Sequence, residues 1–271
     1  MKRKLPMPLM IVALCLFSMQ AVAQNATTTL SEKEMKSKAY SKIAWGTTRI
    51  DSTWNKKFCE DFKCVEIVGK YKPTVDKLQS PIGKCPEGLT RDYPEGSLGN
   101  WTVDLLYDYA QNFLDTTGHK GMNVDFALIN SGGIRTEMPV GNVSRLDILT
   151  IFPFDNYLVI VSLPGKNVRQ MMDLFAKTRV QVMSNVKLII ENKEVKECLI
   201  NGAPIDENKV YNIATIDFLL NGGDGVYPLA KNVGVVSSKV KVMDLIISGI
   251  ENITKADKVI EKQKDGRVII Q

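Results

Sequence analysis

The residues best suited to bind a ligand lie in two glycine-rich segments. In the first, INSGGIR (129–135), an apolar run stops at Asn130, and Gly132 and Gly133 follow. Glycine allows positive φ angles and lets a ligand come close to main-chain N–H groups. Arg135 adds a planar guanidinium group that matches a phosphate or a carboxylate. A tight turn with a surface arginine would show the same pattern, so these residues alone leave both interpretations open.

The second segment, DFLLNGGDGVYPL (217–229), places a carboxylate inside a glycine loop. Asn221, Gly222 and Gly223 lead directly into Asp224. A carboxylate held in this way can accept two hydrogen bonds from the hydroxyl groups of a sugar, each contributing about 1.5–3 kcal/mol. Asp and Asn beside Gly are also standard turn residues, so an ordinary hairpin turn is the alternative.

An aromatic residue accompanies each of these features. Phe154 follows Pro153 in the run ILTIFPFDNYLVIVSLPG (148–165), and Phe218 precedes the second glycine loop. Proline interrupts regular structure, so Phe154 can lie at the mouth of a pocket. Two such rings can clamp a flat ligand from both sides, at about 1–3 kcal/mol per stacked face. Burial of both rings in the core is the alternative.

The composition argues against several kinds of catalytic site. The chain has a single histidine, His119. A two-metal phosphoesterase needs several His, Asp and Asn ligands, and a Ser–His–Asp triad needs a histidine beside the nucleophile. The sequence has no Gly-x-Ser-x-Gly elbow and no Walker-type phosphate loop. Nothing singles out a catalytic carboxylate pair among its 30 acidic residues. We therefore predict no catalytic residue and no metal site in this chain, and we predict that His119 is a loop residue.

Hydrophobic periodicity indicates the elements that position these residues. Trp101, Leu105, Tyr109 and Phe113 recur at every fourth position and predict an amphipathic helix over 99–114. Residues 41–70 suggest strands or a hairpin, with a break at Lys70–Pro73. Other apolar runs predict strands over 124–130, 157–165, 186–190, 209–220 and 266–271, and helices over 166–177 and 239–250. For the strand from residue 209, an end near Asp217 is the alternative. Strands and helices alternate without a regular βαβ rhythm, which predicts an α+β fold with a single mixed-sheet domain.

The N-terminal residues predict export. A positive start and an apolar run over 9–17 precede Ala21 and Ala23, which is typical of a cleaved signal peptide over 1–23. Retention of this segment, or lipidation at Cys15, fits the pattern less well. We predict an N-terminal extension over 24–70 and the main domain over 71–271. The apolar run of the signal peptide is too short to span a membrane, and no second apolar segment reaches that length.

Charge and cysteine content narrow the range of partners. Without the three cations of the signal peptide, 32 Lys and Arg stand against 30 Asp and Glu. This balance gives no electrostatic reason to propose nucleic acid as a partner.

Cys59, Cys64, Cys85 and Cys198 follow the predicted signal peptide. In an oxidising compartment they can form disulfides, most simply Cys59–Cys64, and buried free thiols are the alternative.

Taken together, the motifs resemble a known family. NSGGIR, ILTIFPFDNYLVIVSLPG and FLLNGGDG, in this order, are similar to the C-terminal domain of the 5′-nucleotidase/UDP-sugar hydrolase family. The segment LGNWTVDLLYDYA (98–110) resembles the family's helix start at Leu-Gly-Asn. The resemblance covers about residues 71–271.

The resemblance implies a role for each candidate residue. A nucleobase would stack between Phe154 and Phe218, and Asp224 would bind the ribose hydroxyls. Asn130 would hydrogen-bond the base, and Arg135 would face the phosphate or ribose end. The substrate-binding residues predicted in this way are Asn130, Gly132, Gly133, Arg135, Phe154, Phe218, Asn221, Gly223 and Asp224.

Two departures from the family pattern concern single residues. The family places a further arginine just before Glu-x-x-Leu-Gly-Asn, but here Pro94 occupies that position, and Arg91 lies three residues earlier. Ser131 stands where many members have another small residue, and we expect this change to matter little.

The larger departure concerns the metal centre. Family enzymes carry an N-terminal metallophosphatase domain with two divalent metals, whereas residues 24–70 are too few for such a domain and contain no histidine. We therefore expect no cofactor in this chain and two divalent metals in a partner metallophosphatase chain. The expected protein is periplasmic or extracellular and recognises nucleotides or nucleosides for nucleotide catabolism. The alternatives are a standalone nucleoside- or nucleotide-binding protein without a hydrolase role, and an interaction module whose pocket has decayed.

Overall fold

A computed structural model describes residues 62–119 and 121–271 of the chain. The predicted signal peptide (1–23), residues 24–61 of the predicted extension and Cys59 lie outside these residues. Residues 66–271 form one compact unit. The α-helices are α1 Phe62–Leu78, α2 Ser97–Thr116, α3 Arg145–Ile151, α4 Gly165–Lys177 and α5 Val242–Lys255. The strands are β1 Pro81–Cys85, β2 Phe126–Ile129, β3 Gly141–Ser144, β4 Tyr157–Pro164, β5 Val182–Met183, β6 Val186–Glu191, β7 Glu194–Ile200, β8 Ala203–Pro204, β9 Val210–Ile216, β10 Gly234–Lys241 and β11 Val268–Ile270.

A five-stranded mixed sheet in the order β10-β4-β9-β2-β5 positions the candidate residues. β4 pairs antiparallel with β9 and β10, β2 runs parallel to β9, and β5 is antiparallel to β2. Residues 158–161 of β4 are all buried, as expected for a strand covered on both faces of its sheet. The mixed strand directions and the separate helices confirm the predicted α+β class.

Helix α2 packs against this sheet through a face slightly rotated from the predicted one. Its fully buried apolar side chains after the first turn are Val103, Leu106, Ala110 and Leu114, whereas Leu105 and Phe113 lie at the flank. At its N-terminal end, a Cβ on Gly99 would lie 2.8 Å from Val182 Cγ1. The absence of a side chain at position 99 therefore allows the helix start to pack closely on β5.

The second main sheet, in the order β11-β6-β7-β8, includes the end of the chain. β11 pairs parallel with β6. Just before β11, Arg267 donates to both carboxylate oxygens of Asp104, at 2.8 and 3.1 Å, and to Asp265. These charge-assisted bonds attach the end of the chain to α2.

Three local predictions were wrong. The segment 64–69, predicted as strand, lies within α1. The break predicted at Lys70–Pro73 is absent, because this helix continues through Pro73. A proline removes one helical hydrogen bond, and water can replace it because residues 66–77 of α1 are exposed. The helix predicted from residue 239 begins at Val242, because 234–241 pairs with β4 as strand β10.

No helix in the described part of the chain has the length and apolar character needed to cross a bilayer.

Candidate functional site

Three chain segments that are distant in sequence meet at one edge of the five-stranded sheet. Leu158 in β4 lies opposite Ile216 in β9, so the start of β4 adjoins the end of β9. Because β2 runs parallel to β9, its carboxyl end points to the same edge. The residues preceding β4 and those following β2 and β9 therefore converge.

The turn after β2 carries the first group of candidate residues. β2 is fully buried and ends at Ile129; Asn130 follows it and precedes a short helical turn over Ser131–Gly133. The main-chain N–H of Ser131 donates to Oε1 of the buried Gln181 at 2.8 Å, which fixes the turn. A Cβ on Gly133 would lie 2.8 Å from Asn130 Oδ1, so glycine is needed for this close packing.

The turn after β9 carries Phe218, and the side chain of Asp217 holds the main chain of this turn in place. Asp217 Oδ1 accepts hydrogen bonds from the main-chain N–H groups of Phe218, at 2.9 Å, and Tyr157, at 3.0 Å. This one carboxylate therefore attaches the start of β4 to the Phe218 turn. Phe154 and Phe218 are each 47% exposed, so a large part of each ring is accessible to a ligand.

Asp224 occupies a left-handed conformation, with φ 49° and ψ 27°. Few residues other than glycine adopt this region, although aspartate is among the more tolerant. Asn130 Nδ2 donates to Asp224 Oδ2 at 2.6 Å, which joins the two glycine-rich turns. Among the hydrogen bonds of the described residues, this is the one that Asp224 accepts, so Oδ1 is available to a ligand.

A cavity of about 180 Å³ lies where these turns meet. Its lining residues are Asn130, Gly132, Arg135, Phe154, Asn156, Phe218 and Asp224. The structure thus brings together the two aromatic rings and the loop carboxylate. At one side, Arg135 Nη1 donates to the carbonyl oxygen of Gly132 at 3.2 Å, which places the guanidinium group along the first turn.

The other predicted site residues lie near the cavity or away from it. Gly133 lines a small apolar recess beside it, together with Phe154. Gly223 packs against Phe218, since a Cβ there would lie 2.3 Å from the Phe218 carbonyl oxygen and 2.7 Å from its ring. Asn221 is exposed and does not belong to the cavity lining.

A second cleft, of about 370 Å³, adjoins the cavity. Gly132 and Asp224 line both spaces. Arg91, which the sequence placed three residues away from the family position, lines this cleft, and so does Arg179. Arg179 belongs to no motif and was missed, because its position depends on the pairing of β5 with β2.

The side chains of the described residues do not fit a dimetal centre. Within residues 62–119 and 121–271, no three His, Cys, Asp or Glu side chains form a group that could hold a metal ion. His119 lies between α2 and β2, as predicted for a loop residue, and its ring stacks on Phe113 at a centroid distance of 6.4 Å.

Two of the cysteines are buried free thiols. Cys85 and Cys198 are 1% and 5% exposed and form no disulfide. Burial raises the pKa of Cys85, and burial raises the pKa of Cys198 to about 11, so both remain protonated and unreactive at neutral pH. The predicted Cys59–Cys64 pair lies outside the side chains that the structure describes.

Comparison with known proteins agrees with the resemblance. The family model described as "5′-nucleotidase, C-terminal domain" matches residues 79–232. UshA of Yersinia enterocolitica is 32% identical over 126 residues, covering 43% of this chain and 23% of that protein. The cell wall protein Lmo0130 of Listeria monocytogenes is 26% identical over 201 residues, covering 68% of this chain and 25% of that protein.

A solved structure shares the fold. The 5′-nucleotidase precursor from Thermus thermophilus superposes with a TM-score of 0.64 at 22% identity. The match covers 77% of this chain and 43% of that one. The chain thus spans about a quarter of the length of the two relatives and less than half of the solved structure.

Proposed function

This chain belongs to the 5′-nucleotidase C-terminal domain family, and on that premise we propose that it recognises a nucleotide or nucleoside outside the cytoplasm. The observation that carries the proposal is the cavity in which Phe154, Phe218 and Asp224 meet. These residues come from two turns separated by more than sixty positions. A flat ring with an attached sugar matches the chemistry of this lining.

The lining of the cavity suits both parts of a nucleoside. Phe154 and Phe218 offer half-exposed ring faces for a base, and stacking contributes about 1–3 kcal/mol per face. Asp224 offers a carboxylate oxygen to the ribose hydroxyls through charge-assisted hydrogen bonds. Because Asn130 already holds Asp224 Oδ2, the carboxylate is oriented before the ligand arrives.

In nucleotide hydrolysis, the role of this chain would be to recognise the substrate. We propose that a separate metallophosphatase chain with two divalent metals supplies phosphoester hydrolysis, in the service of nucleotide catabolism. The single histidine of the chain supports this division of roles. The second candidate function is a standalone nucleotide- or nucleoside-binding protein, which the pre-oriented carboxylate also favours.

We further propose that the mature protein is periplasmic or extracellular. The signal-peptide pattern over 1–23 supports export, and one relative is named a cell wall protein. N-terminal sequencing of the mature protein tests the predicted cleavage of the signal peptide, and we expect the mature protein to begin at Gln24.

Calorimetric titration of the purified chain with adenosine and AMP tests the proposed recognition. We expect binding by the wild type and a loss of about tenfold or more in Phe218→Ala, because one stacked face is removed. Tyr227→Ala is the matched control, since Tyr227 is a 69% exposed aromatic residue of the same loop outside the cavity lining. An unchanged affinity in Phe218→Ala would refute the site.

A second assay separates the two candidate functions. We expect no phosphate release from AMP by the chain alone with added divalent metal. Release after addition of an exported metallophosphatase encoded by a neighbouring gene would support the partner hypothesis. Binding without such stimulation would favour the standalone protein, and rapid turnover by the pure chain would contradict both.

A further inference from the structure

Helix α1 differs from the other long helices in its exposure. Helices α2, α4 and α5 each bury several apolar side chains. In α1, by contrast, every residue from 66 to 77 is exposed. Four of these residues are large and apolar: Ile67, Val68 and Tyr71 are each 58% exposed, and Val75 is 41% exposed. Exposed apolar side chains that are clustered on one element mark an interaction surface.

The composition of α1 indicates that this helix needs a partner. Gly69 and Pro73 lie in its interior, and both residue types are unfavourable inside a helix. A helix of this length obtains most of its stability from the packing of its apolar face. The exposed side chains of α1 therefore have to pack against another surface to stabilise the helix.

The spacing of the apolar residues identifies the kind of partner. Val68, Tyr71, Val75 and Leu78 follow one another at intervals of three, four and three residues. This is the spacing of positions a and d in a heptad repeat, and we call these four residues the seam. Such a narrow apolar stripe fits the same stripe on a second helix. Valine at a with leucine at d favours two helices over three or four.

The charged residues of α1 leave the seam free. With Val68 at position a, the outer positions b, c and f hold Glu66, Gly69, Lys70, Pro73, Asp76 and Lys77. Within 66–78, Lys72 at position e is the one charged residue beside the seam, and it pairs with Asp76 of its own helix at 3.0 Å. A second copy of α1 therefore meets no unbalanced like charge along the seam, and the proline ring lies on the outer side.

We propose that α1 is a self-association surface, through which two copies of the protein pair in parallel along the seam. Ile67, at position g, covers one side of it. The seam is smaller than a standard interface of about 800 Å² per partner, so the dimer dissociates in the micromolar range. The inference is independent of the proposed function, because it involves neither the cavity nor a ligand.

Sedimentation of the full mature chain tests the proposal. A reductant in the buffer excludes a disulfide-linked dimer. We expect the weight-average mass to rise from the monomer value at about 1 μM toward twice that value at about 300 μM. A monomer throughout this range refutes the inference, whatever else the chain binds.

Two variants with the same charge change locate the contact. Val75→Glu puts a carboxylate into the seam of both copies, where two like charges would lose water side by side. We therefore expect the dissociation constant of the dimer to rise by about tenfold or more. Gly69→Glu is the matched control, because it adds the same charge at an outer position, where a Cβ meets no atom within 4 Å. Equal weakening by both variants would contradict the assignment of the seam.

Two further measurements test the role of the helix. Gly69→Ala favours the helix without a change of charge or seam, so it should tighten the dimer, and an unchanged or weaker dimer would contradict helix pairing. Amide hydrogen exchange within 66–78 should slow as the protein concentration rises.

The remaining outcomes distinguish this surface from others. A dimer that Val75→Glu leaves intact, or one without slower exchange in 66–78, uses another interface and refutes the proposal. Thermal unfolding at about 1 μM, where the wild type is expected to be monomeric, checks that Val75→Glu leaves the domain folded.

Discussion

Replacement of Gly223 by alanine tests whether the Phe218 ring is held in place by close packing. A Cβ at position 223 would lie 2.3 Å from the Phe218 carbonyl oxygen and 2.7 and 2.8 Å from two ring carbons. Ordinary contacts of this kind begin near about 3.4 Å, so the new methyl group overlaps a main-chain atom that cannot rotate away. Phe218 or its turn must therefore shift by about an ångström, at a cost of about 1–3 kcal/mol for overpacking.

This shift moves the ring away from the base. Because a stacked face contributes about 1–3 kcal/mol, we expect adenosine affinity to fall by about tenfold or more. Calorimetry measures the affinity, and thermal unfolding measures the stability of each variant. Gly234→Ala is the control, because a Cβ there meets nothing closer than 3.7 Å and its φ is not positive.

A double-mutant cycle shows whether the effect acts through the ring. In the Phe218→Ala background, Gly223→Ala should cause little further loss of affinity, because the ring that it displaces is absent. Wild-type affinity and stability in Gly223→Ala would refute the packing argument. An undiminished loss in the Phe218→Ala background would show that Gly223 acts by another route.

Two other substitutions test the charges at the site and in the fold. Asp224→Asn keeps a side chain that tolerates the left-handed conformation and can still accept a hydrogen bond from Asn130, so we expect an unchanged thermal midpoint. We expect adenosine to bind about tenfold more weakly, because a neutral acceptor replaces a charged one. Equal affinity would refute the role of the carboxylate. Hydrogen bonding from Arg267 lowers the pKa of Asp265 in the folded state. The ionised Asp265 therefore stabilises the fold at pH values above the pKa that it has in the unfolded chain. This stabilisation is lost as the pH falls through the lower pKa of the folded state. We therefore expect Asp265→Asn to lower the thermal midpoint by about 1–3 °C at pH 7, because a half-exposed pair contributes under about 1 kcal/mol, and the difference to shrink at pH 3. A difference independent of pH would contradict this assignment.

Local sequence determined the types of the main elements. The buried run of β4, the amphipathic α4 and the glycine-rich turns after β2 and β9 were predicted because period, proline and glycine act over a few neighbouring residues. Where local pattern and tertiary pairing disagreed, the pairing prevailed. Residues 239–241 were predicted as the start of a helix, yet they belong to β10, in which Lys241 pairs with Tyr157 of β4 after a register shift.

The order of the motifs also determined the family, and with it the candidate residues on the two turns. What the sequence could not give is the strand register that brings those turns together. Phe154 and Phe218 face one cavity because Leu158 lies opposite Ile216, and a slip of one residue would turn the side chains of β4 to the opposite face of the sheet.

The surroundings of the site were decided by tertiary structure alone. Arg179 has no motif, and it reaches the cleft because β5, just after it, pairs with β2 at Ile129 and Val182. The bond from Asn130 to Asp224 joins residues 94 positions apart. Contacts of this kind depend on which distant segments share a sheet edge, and no local pattern records that choice, because each segment would form the same turn without the other.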